Sequence, residues 1–266
     1  MDLPFLAADG ALIATQASLV ALPGRGVPRW LARFGGGWWA LILPLSIAVV
    51  IGAIELIPQV ADGLTWISLV LIPPGAALAL GWAMHGARRW LGALVAPAFA
   101  IVLASVGTLA GDALAAALTA LSAVTLGRIL AGIVPAIWLK LGIVAMAITD
   151  AILVFGNQLE APNAVLNAAV PAPGLPQLQY LDLHYANIGY GDMFVAGVLG
   201  GVLAAERTRQ WPVALLTFVC SGLWDLLFFR YDTLPATVPV ALALLLSQAW
   251  RRKVGRRNAP LPSSSL

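Results

Sequence analysis

Charge is scarce in this chain. Asp, Glu, Lys and Arg make up 10% of the 266 residues, whereas 61% are hydrophobic and the mean hydropathy is +0.91. A soluble domain carries a charged share of roughly a quarter, so that class is excluded. Cysteine is nearly absent: the single Cys220 lies in an apolar run, excludes an intrachain disulfide and reads as packing. Two histidines and no Cys/His cluster exclude a structural zinc site, and no metal or organic cofactor is implied. Alternating strands of about ten residues are missing, which argues against an outer-membrane barrel. The N-terminus, Met1-Asp2-Leu3-Pro4, lacks the basic segment of a cleaved signal peptide. No nucleic-acid partner is implied.

What the chain does have is a series of apolar windows of about 20 residues, the mark of a polytopic helical membrane protein. Nine spans are expected, at about 3–22, 38–57, 64–84, 90–110, 111–127, 132–156, 187–206, 211–229 and 234–250. The first contains Asp9 and Gln16 and could instead lie along the interface, which leaves eight. The fourth and fifth share one apolar tract with an expected break at Gly111-Asp112, and the fifth is short. Pro73-Pro74 should kink the third span. The chain thus divides into an N-terminal transmembrane bundle (1–131), a second transmembrane region (132–250) and a basic tail (251–266). The stretch Glu160 to Tyr180, with four prolines, reads as the longest loop between spans.

Basic residues are sorted by side. Arg25, Arg29, Arg33, Arg88, Arg89, Arg128, Arg207, Arg209 and the cluster from Arg251 to Arg257 all fall on one side of a nine-span chain. The other side receives Asp2, Asp9, Asp62, Asp112, Glu160, Asp182 and Asp232, with Arg230 as its one basic residue. The positive-inside rule then sets the N-terminus outside and the C-terminus in the cytoplasm, in the plasma (cytoplasmic) membrane. Lys140, inside the sixth span, can snorkel to the cytoplasmic side.

Four acids within spans stand out beyond Asp9 and those at the span limits: Glu55, Asp150, Asp192 and Asp225. Ionisable groups at that depth are costly and point to function. Glu55 and Asp225 lie near span ends where water can reach them, with Asp225 in reach of Arg230. Asp150 and Asp192 differ from them. Asp150 is roughly 9 Å from the outer end of the sixth span, and Asp192 enters the seventh at nearly the same depth. Two carboxylates on sequential helices at matched depth can share one proton. Such a pair can activate a water and protonate a leaving group, as peptide hydrolysis requires. Gly189 and Gly191 beside Asp192 would let another backbone approach. Gly197 and Gly201, four apart, form a small-residue face that would bring span seven close to span six.

Thr149-Asp150 in one span, and Gly189-Tyr190-Gly191-Asp192 opening the next, resemble the GxGD intramembrane aspartyl proteases of the presenilin and signal peptide peptidase group. Leu234-Pro235-Ala236-Thr237 resembles that family's Pro-Ala-Leu element in its ninth span. The resemblance covers roughly 132–250 and implies a presenilin-like all-α bundle. It makes Asp150 and Asp192 the catalytic dyad, with Thr149, Gly189, Tyr190, Gly191, Pro235 and Ala236 shaping the site. The implied partner is a transmembrane protein or peptide in the lipid bilayer, unwound locally to expose its backbone. Two departures stand out: Thr149 replaces the usual Tyr, and Thr237 replaces Leu. A catalytically silent relative, a proton-coupled transporter and a potassium-channel-like pore using Gly189-Tyr190-Gly191-Asp192 are the alternatives. Prepilin peptidases share a GxGD motif, but their acids face the cytoplasm. Asp182 and His184, with Tyr180 and Tyr185, read as a solvated loop set able to gate access.

Overall fold

The computed structural model describes residues 3–231 and 233–257. Asp2, Asp232 and the tail beyond 257 lie outside the described residues.

The chain begins with α1 (Leu3–Ala21), a short turn α2 (Arg29–Ala32), and a 3-10 turn Gly37–Leu41 that leads into α3 (Ile42–Leu56). Next come α4 (Val60–Leu78), which runs into a π-turn at Ala79–Ala83, then α5 (Arg89–Gly92), α6 (Val95–Ala104) and α7 (Leu109–Ile133). The second half holds α8 (Ala136–Phe155), α9 (Glu160–Ala168), β1 (Tyr180–Asp182), β2 (Asn187–Gly189) and α10 (Tyr190–Ala205). It closes with α11 (Trp211–Trp224), a 3-10 turn Asp225–Phe229, and α12 (Thr237–Arg257). Among the described residues, six helical segments are long and apolar enough to cross a membrane: 3–21, 37–56, 60–83, 109–133, 136–155 and 211–229. Two shorter apolar segments are Arg89–Ala104 and Tyr190–Ala205. The described residues form a helical bundle with one antiparallel pair of three-residue strands, Tyr180 opposite Gly189 and Asp182 opposite Asn187.

The centre of the bundle is α7 against α10. Both helices are built from small residues, so their backbones can approach closely. A Cβ at Gly197 would lie 2.6 Å from the Ala123 carbonyl oxygen, and one at Gly201 would lie 2.7 Å from that of Gly127. Gly200 sits equally close to the carbonyls of Leu19 and Val20 on α1. The Gly197/Gly201 face therefore meets α7 and not α8, which corrects the expected partner. Polar residues on α7 bond outward to neighbours: Thr125 to the Gly75 carbonyl at 2.7 Å, and Thr119 to the Leu178 carbonyl at 3.3 Å.

Several boundaries differ from the sequence reading. The break in the long apolar tract falls at Ser105–Thr108, where the Thr108 hydroxyl accepts from the Gly111 N–H at 3.1 Å and caps α7. The fifth span is consequently a 25-residue helix and not a short one. Arg128 lies inside it, 8% exposed, and not in a loop. Its guanidinium donates to the carbonyls of Gly26 (2.9 Å), Arg25 (2.6 Å) and Trp82, and lies over the Trp82 ring. Pro73-Pro74 sit within α4, which continues to Leu78; the departure from α geometry comes afterwards, at the π-turn. The stretch after Glu160 is partly ordered as α9 and β1. α1 packs between α10 and α11, so it belongs to the bundle and does not lie along an interface.

Main-chain bonds gather the basic loops at one end. Gly36 N–H donates to Ile133 O at 3.1 Å, His85 N–H to Leu22 O at 2.8 Å, and Gln210 Nε2 to Pro23 O at 2.9 Å. Of the ten tryptophans, eight lie at this end: 30, 38, 39, 82, 90, 138, 211 and 250; Trp66 and Trp224 lie toward the other. Tryptophan beside arginine is the composition of a membrane interface.

Lys140 pairs with Glu206 at the basic end, and Arg251 stands 3.7 Å from the second Glu206 oxygen. The pair joins α8, α10 and α12, so Lys140 is anchored to a partner and does not simply snorkel. Lys140→Met or Glu206→Gln is expected to lower unfolding stability by about 1.5–3 kcal/mol. The exchange Lys140→Glu with Glu206→Lys should restore most of it, read by denaturant titration in detergent.

Candidate active site

The two aspartates are delivered by two helices that present opposite ends to one place. Asp192 lies in the first turn of α10, two residues after its opening residue Tyr190. The strand β2 runs straight into that turn, and its pairing to β1 fixes the direction of approach. Tyr190 secures the corner: its N–H donates to Gln179 O at 3.3 Å, and its hydroxyl accepts from Ser122 Oγ at 3.1 Å. Asp150 lies five residues before the end of α8 and is 4% exposed. The two residues come to the same level: α8 packs on α10, and the methyl of Met146, one turn before Asp150, lies opposite Gly191, the residue before Asp192.

Pro235-Ala236-Thr237 completes the site. Thr237 opens α12, and its hydroxyl donates to Asp150 Oδ2 at 2.6 Å. The Thr237 N–H points at the same oxygen at 3.4 Å. The first N–H groups of a helix have no partner within it, and Pro239 has none to offer. Asp150 thus caps α12 from another helix. Both carboxylates sit at helix N-termini, the positive ends of the peptide dipoles, which favour negative charge. The Thr237 side chain, a departure from the motif, is a direct partner of Asp150.

The glycines need a different account from the one expected. A Cβ at Gly189 would lie 3.1 Å from Asp192 Oδ2, so glycine there keeps the carboxylate clear. A Cβ at Gly191 would meet only the Met146 methyl, at an ordinary 3.9 Å. The β1 backbone does pair with Gly189, Tyr180 lying opposite it, but on the side a Cβ would occupy no backbone atom comes within 4 Å at either position; the tight backbone approaches on α10 lie deeper, at Gly197, Gly200 and Gly201. Gly189 and Gly191 are exposed, and Asp192 is part-buried. Thr149 is part-buried beside Asp150, and Pro235 is buried.

A residue the sequence reading treated as a liability enters the site from α1. Gln16, 2% exposed, donates through Nε2 to the Ala236 carbonyl at 3.0 Å and, at 3.5 Å, to that of Asp192. Its Oε1 accepts from Ser221 Oγ of α11 at 3.4 Å. The only signal for it in the sequence is a lone amide inside an apolar span.

The remaining acids separate from the dyad. Glu55 is exposed at the end of α3. Asp225 is not paired with Arg230; its carboxyl neighbours that of Asp9 on α1, and the Arg230 guanidinium lies 5.8 Å from the Tyr231 ring. Asp182 accepts the His184 N–H at 2.7 Å, and both line a cavity of about 400 Å³ with Asp112, Gln177 and Tyr180. Neither Asp150 nor Asp192 lines it. Within it, the Tyr180 hydroxyl donates to Gln177 Oε1. Burial, then the charges of Asp182 and Asp112, push the Tyr180 phenol up to about 12.

The folded chain therefore holds the Tyr180 proton where an unfolded chain has begun to release it. The stability tied to this group is full below about pH 10 and falls as pH rises toward the folded value. A spectrophotometric titration of wild type minus Tyr180→Phe is expected to show one phenol ionising near 12. Ionisation near the ordinary value of about 10 would mean that β1 is not seated as described.

Composition and fold define a helical membrane protein. No family model, curated protein or solved structure matches the chain.

Proposed function

We propose that this protein is an intramembrane aspartyl protease of the GxGD type, hydrolysing peptide bonds of transmembrane helices with Asp150 and Asp192. The observation that carries the reading is the meeting of three elements far apart in the chain: Asp150 of α8, Asp192 of α10 and Thr237 of α12. In this reading one carboxylate removes a proton from water as the water oxygen attacks the scissile carbonyl. The other, protonated, donates to that carbonyl oxygen. Collapse of the tetrahedral gem-diol breaks the C–N bond: the amine takes the proton held by the first carboxyl, and a gem-diol hydroxyl returns its proton to the second carboxylate, which restores the pair. Nine spans follow if α1, α3, α4, α5 with α6, α7, α8, α10, α11 and α12 each cross the bilayer. The basic end is then cytoplasmic and the dyad lies toward the outer side.

Two observations weigh on the alternatives. Tyr190, Gly191 and Asp192 form the first turn of a helix, whereas a potassium filter needs an extended row of free carbonyls. The facing carboxyls of Asp9 and Asp225 favour proton-coupled transport as the second reading. The test is cleavage of a panel of transmembrane peptides by the purified protein in lipid, with Asp150→Asn and Asp192→Asn alongside. A folded wild type that cleaves nothing, in liposomes that pass solute down a pH gradient, would replace the protease with the transporter.

A further inference from the structure

We propose that Gln16 is a positioning residue that sets the spacing of the two aspartates, making the N-terminal helix a working part of the site. The proposal rests on the protease reading for its consequence in cleavage, but not for its geometry.

A glutamine amide has two N–H donors and a carbonyl with two lone pairs. In an apolar helix interface each unmet group is costly, so the amide settles where partners are fixed. Gln16 finds them on three elements. Its donors go to the main-chain carbonyls of Asp192 and Ala236, and its oxygen takes the Ser221 hydroxyl. The two carbonyls matter because of their neighbours. One belongs to Asp192 itself. The other belongs to the residue before Thr237, whose hydroxyl and N–H hold Asp150. A continuous run of hydrogen bonds therefore passes from the Asp192 main chain through Gln16 to Ala236, and through Thr237 to the Asp150 carboxylate.

Among the described residues, Gln16 is the one side chain hydrogen-bonded to both helix starts, although α10 and α12 also pack against each other. α10 and α12 both begin at this level, and a helix start is the part most free to shift. α8 and α10 also pack directly, and at the level of Asp192 the Met146 methyl lies opposite Gly191. Methionine adapts to displacement and sets no distance. The amide of Gln16 fixes both helix starts to one planar group, itself 2% exposed and held from the far side by Ser221. The hydrogen bonds of Gln16 go to main-chain carbonyls and to Ser221, and none goes to either carboxylate, so it acts through placement and not through proton transfer.

The test uses the full chain in lipid with Cys220→Ser. Cysteines replace Met146 and Gly191, and a short bifunctional thiosulfonate measures the α8–α10 spacing without any cleavage. Cross-linking is expected to be efficient with Gln16 present and to fall several-fold in Gln16→Met, which keeps the shape and loses the amide. Unchanged cross-linking in a folded Gln16→Met overturns the proposal, whatever cleavage does. In the cleavage assay, without the cysteines, Gln16→Met is expected to lower kcat on the order of 10²-fold with KM little changed, as for a misplaced reacting group. A rise in KM alone would also overturn it. If Gln16→Met fails to fold, Ser221→Ala carries the same measurements, with a smaller loss in the same direction. A wild type that cleaves nothing, but shows the Gln16-dependent cross-link, would sustain the positioning role while removing the protease reading.

Discussion

Asp150→Asn and Asp192→Asn are each expected to lower cleavage of a transmembrane peptide by roughly 10²–10⁴-fold, the usual worth of a positioned acid or base. The two losses should not add. Two groups that act as one unit fail together, so the double variant is expected to be no slower than the worse single one. The fold should survive both changes. An asparagine at 150 keeps a carbonyl oxygen able to accept from the Thr237 hydroxyl, and one at 192 keeps the side chain that Gly189 makes room for. Unfolding curves matching wild type, beside absent cleavage, would separate chemistry from stability. The wild type should show a bell-shaped dependence of kcat/KM on pH, because one carboxyl must be protonated and the other not. Its two limbs would belong to the pair and not to either residue. A single-limbed profile, or residual cleavage in one variant close to wild type, would break the dyad.

Gly197→Leu and Gly201→Leu are expected to have the largest effects on stability. The added Cβ alone would lie 2.6 Å from Ala123 O or 2.7 Å from Gly127 O, closer than side-chain carbons approach oxygen. Those oxygens belong to the backbone of α7 and cannot swing aside, so the helices must separate. Overpacking of this kind costs about 1–3 kcal/mol where neighbours can adjust, and the fixed main chain puts these sites at or above that range. Separating α10 from α7 would also loosen the Tyr190–Ser122 bond that anchors the corner before Asp192. Gly52→Ala and Gly63→Ala, with no atom within 4 Å of the new carbon, are the controls and should unfold like wild type. Equal behaviour of both sets would mean that α7 and α10 are not in backbone contact.

The sequence made some of this visible because the signal lay within single segments. Hydropathy alone separates most of the helices, since an apolar window of helical length has few other readings. Asp150 and Asp192 stood out because a carboxylate in such a window is expensive. The missed features depend on partners far away in sequence. Gln16 bonds to carbonyls 176 and 220 residues on, and nothing in its own helix announces them. Arg128 looked like a loop residue because arginine usually marks a span end, yet the loop carbonyls of Arg25 and Gly26 reach in to meet it. The break before α7 was set one turn late because Gly111-Asp112 resembles a turn more than Ser105–Thr108 does. A capping threonine decided it. Asp225 was given the nearest opposite charge along the chain, while its real neighbour, Asp9, lies on another helix.

The crowding of tryptophan at the basic end has an optical consequence. With eight of the ten indoles there, intrinsic fluorescence reports almost entirely on one leaflet. A quencher confined to that leaflet would darken most of the emission, and one confined to the other would reach only Trp66 and Trp224. The chain thus carries its own gauge of sidedness in a bilayer, needing no label. Asp150 and Asp192 lie in the half with few indoles, so once a quencher has silenced the basic end, a tryptophan placed near them would be seen against Trp66 and Trp224 alone.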